Sequence, residues 1–192
     1  MFWYARQVSI PSDPDRRLVV CVDRQRCRPE NEFQYRAQRA FRQVMADAVD
    51  ELGLDRGRWV TSPGGDGTLA VLPPETAGPR VVGDLVFAVD RLLATANEDR
   101  PVDARVRARI AIHEGPVHLD GAPGFPGSGV VTVIRLIDAP AVEVALRDHP
   151  SANVALIVSG QIYKNLVLAY GRPQPDRFVR VDDAWLFVPG GG

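Results

Sequence analysis

Two aspartates occupy positions in which carboxylates can bind metal ions. Asp23 ends the apolar run VVCVD, and Asp66 lies in the tetrad GGDG, between the strand-like runs RWVTS and TLAVLP. If these runs belong to one sheet, both carboxylates reach the same edge of it. Two neighbouring carboxylates repel each other unless a cation lies between them, and Mg²⁺ or Mn²⁺ completed by phosphate oxygens is the usual solution. The pair therefore predicts a site for two divalent ions and a nucleoside triphosphate.

The glycines around Asp66 favour the same chemistry. Gly64, Gly65 and Gly67 carry no Cβ, so the backbone at these positions can approach a phosphate group without a steric clash. We therefore expect all three glycines to be nucleotide-binding residues.

The elements that must position these residues follow from the hydrophobic pattern. A buried strand is predicted from about Leu18 to Asp23, followed by a helix that begins near Glu32 and stops at Gly53. The runs around GGDG form a hairpin, a second helix covers about Arg80 to Ala96, and VRARIAIHEGPVHL makes the next strand. This βαββαβ order predicts an α+β fold with a ferredoxin-like or palm-type sheet and helices packed on one face.

The C-terminal part predicts helix and strand units that extend this sheet. We expect VVTVIRLIDAP to be a helix that ends before Pro140, AVEVALRDH a short helix, VALIVS a strand and GQIYKNLVLAY another helix. A terminal pair of strands lies within RFVRVDDAWLFVP. With 192 residues and 45% hydrophobic content, the chain is long enough for one sizeable core, so we predict a single domain over 1–192 with its core at about 18–190.

A GGDG tetrad is shared by several nucleotide-handling families, and its surroundings distinguish them. In diacylglycerol kinases and NAD kinases a helix follows the tetrad, but here Pro73 and Pro74 come soon after it and argue against a helix. Diguanylate cyclases place a similar tetrad on a hairpin, followed by an acid and an aromatic residue that this chain lacks. A third family also uses a palm hairpin, with a Gly-Asp pair at the turn and a metal-binding aspartate at the end of the first strand.

The chain resembles the catalytic domain of this third family, the class III nucleotide cyclases, which make cyclic AMP or cyclic GMP. The resemblance rests on VVCVD, GGDGTLAVL, ARIAIHEGPVHLDG and GSGVVTVIRLIDAP, and it covers about Leu18 to Gln161. It implies that Asp23 and Asp66 bind two Mg²⁺ or Mn²⁺ ions and that Arg135 stabilises charge on the transferring phosphoryl group. It also implies a homodimer, because the active sites of the family form between two subunits.

Four departures from the family pattern affect the expected activity, and one of them is that the family's second base-contacting acid has no clear counterpart in GAPGFPGSG. Ser62 stands where the family has a purine-reading lysine, and Val131 stands where it has an asparagine four residues before the arginine. A Gly-Phe pair of the family is replaced within DRQRCR by Arg26 and Cys27. Ser62 stays among the expected nucleotide-binding residues. Arg24 does too, because the arginines of DRQRCR either bind the triphosphate or lie in solvent.

Two hypotheses about function follow. The first is an enzyme that converts a nucleoside triphosphate to a 3′,5′-cyclic nucleotide and pyrophosphate, with a non-purine base among the candidates because of Ser62. The second is a degenerate domain that binds nucleotide, or only a protein partner, without turnover, which Val131 favours. Arg135 has an alternative role in either case, as a surface side chain or a partner of Asp138.

Composition excludes some other roles. The formal net charge of -1 gives no basic field for nucleic acid, and no apolar run is long enough for a membrane span or a signal peptide, so we expect a cytoplasmic protein. Cys21 and Cys27 are expected to be reduced thiols, since no second cysteine pair or histidine cluster accompanies them. His113 and His118 are expected to be structural.

Overall fold

The computed structural model describes residues 13–25, 31–64, 67–119 and 125–190. Its first half has the predicted βαββαβ order. Strand β1 (Asp15–Arg24) leads to helix α1 (Asn31–Glu51), and the hairpin strands β2 (Val60–Gly64) and β3 (Gly67–Val71) follow. A π-helical turn at Arg80–Asp84 continues into helix α2 (Leu85–Ala96), and strand β4 (Ala108–Val117) completes the unit.

The second half adds four helices and three strands. Helices α3 (Ser128–Ile137) and α4 (Pro140–Asp148) lead to strand β5 (Val154–Ser159). A helical segment follows that consists of α5 (Gly160–Ile162), a π-helical turn at Tyr163–Val167 and α6 (Leu168–Tyr170). The chain ends in the strand pair β6 (Val179–Val181) and β7 (Ala184–Phe187). In the described ranges, no helix has both the length and the apolar character needed to cross a membrane.

All seven strands form one mixed sheet in the order β2-β3-β1-β4-β5-β7-β6. The first four strands are antiparallel neighbours, with β1 between β3 and β4, which is the arrangement of a ferredoxin-like unit. Strand β5 then runs parallel to β4, so the chain must cross over between them, and α3 and α4 make that crossover. The predicted α+β fold is confirmed.

The two faces of the sheet have separate cores because successive side chains of a strand point to opposite sides. On the first face α1 and α2, the helices of the βαββαβ unit, cover Val20, Val22, Ala70, Ile110, Ile112 and Leu156. On the second face α3 and α4, from the C-terminal extension, cover Val19, Cys21, Leu69, Ala111, Ala155 and Ile157. The side of α1 that packs on the first face carries Ala37, Phe41, Val44 and Ala48, all of them buried, in agreement with the predicted helix.

Helix α3 approaches the second face through a contact between two glycines. A Cβ on Gly115 in β4 would lie 2.8 Å from the Cα of Gly129, and a Cβ on Gly129 would lie 3.0 Å from the carbonyl carbon of Gly115. Neither position has room for a side chain. The glycines therefore let the first turn of α3 pack directly on the strand backbone, which sets the position of Arg135 later in the helix.

Candidate active site

Asp23 lies at the end of β1, between two neighbouring strands. Its Cα is opposite Gly67 of β3 on one side and opposite Arg109 of β4 on the other. The strand alternation places its side chain on the second face, with that of Cys21. The prediction that the first strand and the hairpin lie side by side is thus confirmed for the backbone that carries Asp23.

Gly67 allows the hairpin to approach Asp23 closely. A Cβ at this position would lie 2.4 Å from the carbonyl oxygen of Val22 and 3.2 Å from Oδ1 of Asp23. Gly64 is the cross-strand partner of Gly67 in the hairpin. Gly65 and Asp66 lie outside the described residues, so the pairing of Asp66 with Asp23 stays a prediction.

Arg109 forms an ion pair with Asp23 that the sequence did not reveal. The guanidinium Nη2 contacts Oδ2 of the carboxylate, and the exposed fractions of the two side chains are 19% for Arg109 and 23% for Asp23. Nε of Arg109 is buried without a hydrogen-bond partner in the described part of the chain. This ion pair could be predicted only from the register of β1 and β4, because that register places Arg109 opposite Asp23.

The two oxygens of Asp23 therefore face different groups. Oδ2 contacts the guanidinium, whereas Oδ1 lies on the side of Gly67 and the hairpin. A carboxylate oxygen is a hard ligand of the kind that Mg²⁺ and Mn²⁺ prefer, so Oδ1 fits a divalent ion placed toward the hairpin turn. Among the described residues, no group of three or more histidine, cysteine or acidic side chains could hold a metal ion. A metal site at this edge thus needs ligands besides Asp23.

Arg24 follows Asp23 in the chain but its side chain lies on the opposite face. Only 1% of this residue is exposed, and its guanidinium donates hydrogen bonds to Oε1 of Gln38, at 3.2 Å, and to Oε1 of Gln34. Both glutamines belong to α1. Arg24 thus ties the end of β1 to the first turns of α1, and its expected contact with a triphosphate stays a prediction.

Ser62 and Val131 occupy the two positions that depart from the family pattern. Ser62 is opposite Leu69 in the hairpin, and Leu69 is opposite Cys21, so Ser62 lies on the same face as Asp23 and two residues from the row of Gly64. Val131 lies in α3 with 68% of its surface exposed. An apolar side chain with this exposure has no packing role within the described structure of one chain.

Arg135 lies one helical turn after Val131, and both side chains are exposed. Nη2 of Arg135 is 3.2 Å from Oδ2 of Asp183, in the turn between β6 and β7. This result corrects the alternative in which Arg135 pairs with Asp138, because the fold of the extension brings the β6–β7 turn to α3.

Asp23 and Arg135 are far apart within one chain. Asp23 is the cross-strand partner of Arg109 in β4, and Arg109 is in turn the partner of Ala155 in β5, so the three residues form one row across the sheet. Arg135 pairs with Asp183, whose carbonyl oxygen accepts a hydrogen bond from the backbone N–H of Gly160, directly after Ser159. Ala155 and Ser159 are separated by four residues of one strand, or about 13 Å. Within one copy, the row of Asp23 and the contact of Arg135 with Asp183 thus lie at opposite ends of β5.

Two titratable groups on the second face have displaced pKa values. Burial, with smaller contributions from Asp23 and Asp138, raises the pKa of Cys21 to about 12. Burial, together with the nearby cations Arg16 and Arg135, lowers the pKa of His113, whose Nδ1 lies 2.9 Å from Oγ of Ser159. Cys21 is therefore a protonated core residue and His113 a neutral hydrogen-bonding residue at neutral pH, as the structural roles predicted for them require.

Comparison with solved structures identifies the architecture. An adenylate/guanylate cyclase/hydrolase from Silicibacter pomeroyi superposes with a TM-score of 0.60 at 19% identity, over 92% of this chain and 99% of the other. The chain has the cyclase catalytic fold. A non-canonical dimeric guanylyl cyclase domain of the RhoGC fusion protein from Blastocladiella emersonii gives a TM-score of 0.57 at 13% identity, over 92% and 94% of the two chains.

A third similar structure contains a nucleotide. The catalytic core of a rhodopsin-guanylyl cyclase with converted specificity, in complex with ATPαS, superposes with a TM-score of 0.56 at 14% identity, over 94% of this chain and 99% of the other. No protein-family model matches the sequence, and no curated protein matches it significantly. The chain thus shares the cyclase fold with structures whose sequences are 13–19% identical to its own.

Proposed function

We propose that this chain is a divergent nucleotide cyclase domain that binds a nucleoside triphosphate with divalent metal ions and releases a 3′,5′-cyclic nucleotide and pyrophosphate. The observation that carries the proposal is the position of Asp23, whose Oδ1 lies beside Gly67, the residue that follows Asp66 in the chain. The cyclase fold supports the same conclusion.

In this proposal the carboxylates of Asp23 and Asp66 would hold two Mg²⁺ or Mn²⁺ ions. Bound ions would neutralise the triphosphate and favour attack of the 3′-hydroxyl on the α-phosphate. Arg109 keeps Oδ2 of Asp23 in place and so orients Oδ1 toward the hairpin. Gly64 and Gly65 are the proposed backbone contacts for phosphate oxygens, because a glycine lets a phosphate approach the chain closely. The expected phosphate contact at Gly67 would be limited to its free side, since the Cβ position of Gly67 is filled by β1. Arg24 would bind a phosphate only if its guanidinium gave up its hydrogen bonds to Gln34 and Gln38.

Arg135 would act in the site of a second copy of the chain. The row of Asp23 and the contact of Arg135 lie at opposite ends of β5, which supports the assignment of Arg135 to the nucleotide at Asp23 of a second copy. The ion pair between Arg135 and Asp183 is exposed, and exposed pairs hold their side chains weakly. Arg135 can therefore exchange Asp183 for a phosphate oxygen of the partner's substrate, which makes a homodimer the active unit.

Ser62 would read the base without a charge. Its hydroxyl is a single donor and an acceptor, whereas the lysine of the family supplies a cation with three donors. Ser62 lies on the face of Asp23, which supports its proposed contact with a base whose phosphates bind at the hairpin. This residue is compatible with a pyrimidine nucleotide as well as with a purine nucleotide.

A second function is favoured by Val131 and by the ion pair of Asp23. Val131 presents an exposed apolar surface where the family has an asparagine, and Arg109 already neutralises the carboxylate that would bind metal. Both observations fit a domain that binds nucleotide or a protein partner without turnover.

Nucleotide binding tests the site at Asp23. We expect isothermal titration calorimetry to detect at least one of ATP, GTP, CTP and UTP bound to the purified chain in the presence of Mn²⁺. We expect Asp23→Asn to abolish that binding and Asp148→Asn, at an exposed position on α4, to leave it unchanged. Equal affinity of the wild type and Asp23→Asn would contradict a metal site at Asp23. Tight binding without product formation would support the second function.

A further inference from the structure

An apolar cavity lies on the first face of the sheet, opposite the face that carries Asp23. It has a volume of about 410 Å³ between α1 and strands β1 to β3. Its wall consists mainly of hydrophobic side chains, among them Val20, Phe41, Met45, Val49, Trp59 and Leu85. Protein cores are close-packed and contain few voids larger than a water molecule, and small-molecule sites have volumes of about 300–1,000 Å³. A space of this size and lining therefore has the features of a binding site.

The cavity opens at a cluster of arginines. Arg42 from α1 and Arg56, after the end of α1, line the cavity. They also line an adjoining depression together with Arg39 and Gln38. All three arginines are exposed. We refer to Arg39, Arg42 and Arg56 as the arginine mouth.

The arginine mouth is not neutralised within the described part of the chain. There, none of its three side chains forms an ion pair or a side-chain hydrogen bond. Other surface arginines nearby behave differently, since Arg58 pairs with Glu75 and Arg91 pairs with Glu51. Three like charges at one opening repel each other, so an anion bound between them would be stabilised.

We propose that this cavity binds an unesterified medium-chain fatty acid. The carboxylate would accept charge-assisted hydrogen bonds from the arginine mouth, and guanidinium groups suit carboxylates because their donors match both oxygens. The aliphatic chain would lie against the hydrophobic wall, where its removal from water stabilises the complex. A nucleotide fits less well, because the wall offers a base few polar partners beyond Gln38, Thr61 and Thr68.

This binding site is separate from the proposed metal and base sites, although Gln38 of its wall also accepts a hydrogen bond from Arg24. Its residues lie on the first face, whereas Asp23 and Ser62 belong to the second face. A chain without cyclase activity would therefore still bind the fatty acid.

Titration with laurate below its micellar concentration tests the proposal. Isothermal titration calorimetry of the full chain is expected to show one saturable site of micromolar affinity. Dodecanol, which has the same chain length but no carboxylate, is expected to bind at least about tenfold more weakly, because charge-assisted hydrogen bonds are lost. Equal affinities for laurate and dodecanol, or an absence of saturable laurate binding, would overturn the proposal.

Two variants locate the site. Arg42→Ala with Arg56→Ala, which changes only exposed side chains, is expected to weaken laurate binding at least about tenfold without changing the far-UV circular dichroism spectrum. Arg91→Ala is the matched control and is expected to bind like the wild type, since Arg91 pairs with Glu51 outside the cavity. Met45→Trp should fill the cavity and abolish binding. Unchanged affinity in the double arginine variant would overturn the proposal, whether or not Met45→Trp folds.

Discussion

Gly67 and Asp23 lie directly opposite each other in the ladder between β3 and β1, and the ladder leaves no room for a side chain on the glycine. The last glycine of GGDG is therefore a steric requirement of the sheet, besides its proposed role in phosphate binding. It brings the hairpin against the carboxylate that we propose as a metal ligand. The fold and the proposed chemistry thus depend on the same short segment.

Substitution of Gly67 is expected to destabilise the fold. In Gly67→Ala the added Cβ would lie 2.4 Å from the carbonyl oxygen of Val22, so β3 must move away from β1. We expect the free energy of unfolding to fall by about 1–3 kcal/mol, the usual cost of overpacking. Urea denaturation measures the change. Gly57→Ala is the control, because its Cβ would approach only the carboxylate oxygen of Asp55, at 3.2 Å. Equal stabilities of the two variants would contradict the steric argument.

The ion pair of Asp23 and Arg109 is expected to be energetically coupled. Both side chains are mostly buried, so the loss of either partner leaves the other without its counter-charge in a poorly solvated position. A double-mutant cycle with Asp23→Asn and Arg109→Gln, measured by urea denaturation without metal ions, should give a coupling free energy of about 1 kcal/mol or more.

The exposed pair of Arg16 and Glu114 provides the matched control for that cycle. Its side chains are 57% and 38% exposed, and exposed pairs contribute about 0.2–1 kcal/mol. We therefore expect a smaller coupling free energy in the Arg16→Gln and Glu114→Gln cycle. Additive effects of the two substitutions at Asp23 and Arg109 would show that their contact does not stabilise the fold.

Stability is expected to decrease in mild acid because of His113. Burial and the nearby arginines lower the pKa of His113 in the folded chain, so the unfolded chain binds a proton at a higher pH. The contribution of His113 is therefore fully present above about pH 6.5 and is lost as the pH falls through the pKa of the folded chain. Thermal denaturation between pH 7.5 and pH 5, about the range in which histidine titrates, measures the effect.

His113→Gln should make this decrease shallower, since glutamine does not titrate but can still bond to Ser159. His149→Gln serves as the control, because His149 is exposed at the end of α4. If His113→Gln and the wild type lose stability equally as the pH falls, another group causes the loss.

Hydrophobic periodicity predicted most of the fold. The three- to four-residue spacing of Ala37, Phe41, Val44 and Ala48 identified the buried side of α1, and Gly53, with a φ of 60°, ends the helix region as expected. The alternation of Ala108, Ile110 and Ile112 identified β4 in the same way. Each of these patterns lies within one helix or strand, and it predicts which side of that element is buried.

The partners of the charged side chains could not be predicted in this way. Arg109 meets Asp23 only because β4 pairs with β1 in one particular register, and Arg135 meets Asp183 only because β6 and β7 return beside α3. Arg24 meets Gln34 and Gln38 because the fold packs α1 against the end of β1. Each contact joins segments whose relative position is set by long-range packing, and that information is not contained in spacing along the chain.

The most direct test of the cyclase proposal is a search for its product. The purified chain would be incubated with ATP, GTP, CTP or UTP and Mn²⁺, and the mixtures examined by mass spectrometry for cyclic nucleotide and pyrophosphate. Asp66→Asn would be treated in parallel, with Asp148→Asn as the control. We predict a cyclic product from at least one nucleotide in the wild type and the control, and none in Asp66→Asn. No cyclic product from any of the four nucleotides, or undiminished product in Asp66→Asn, would contradict catalysis at the edge formed by Asp23 and the hairpin.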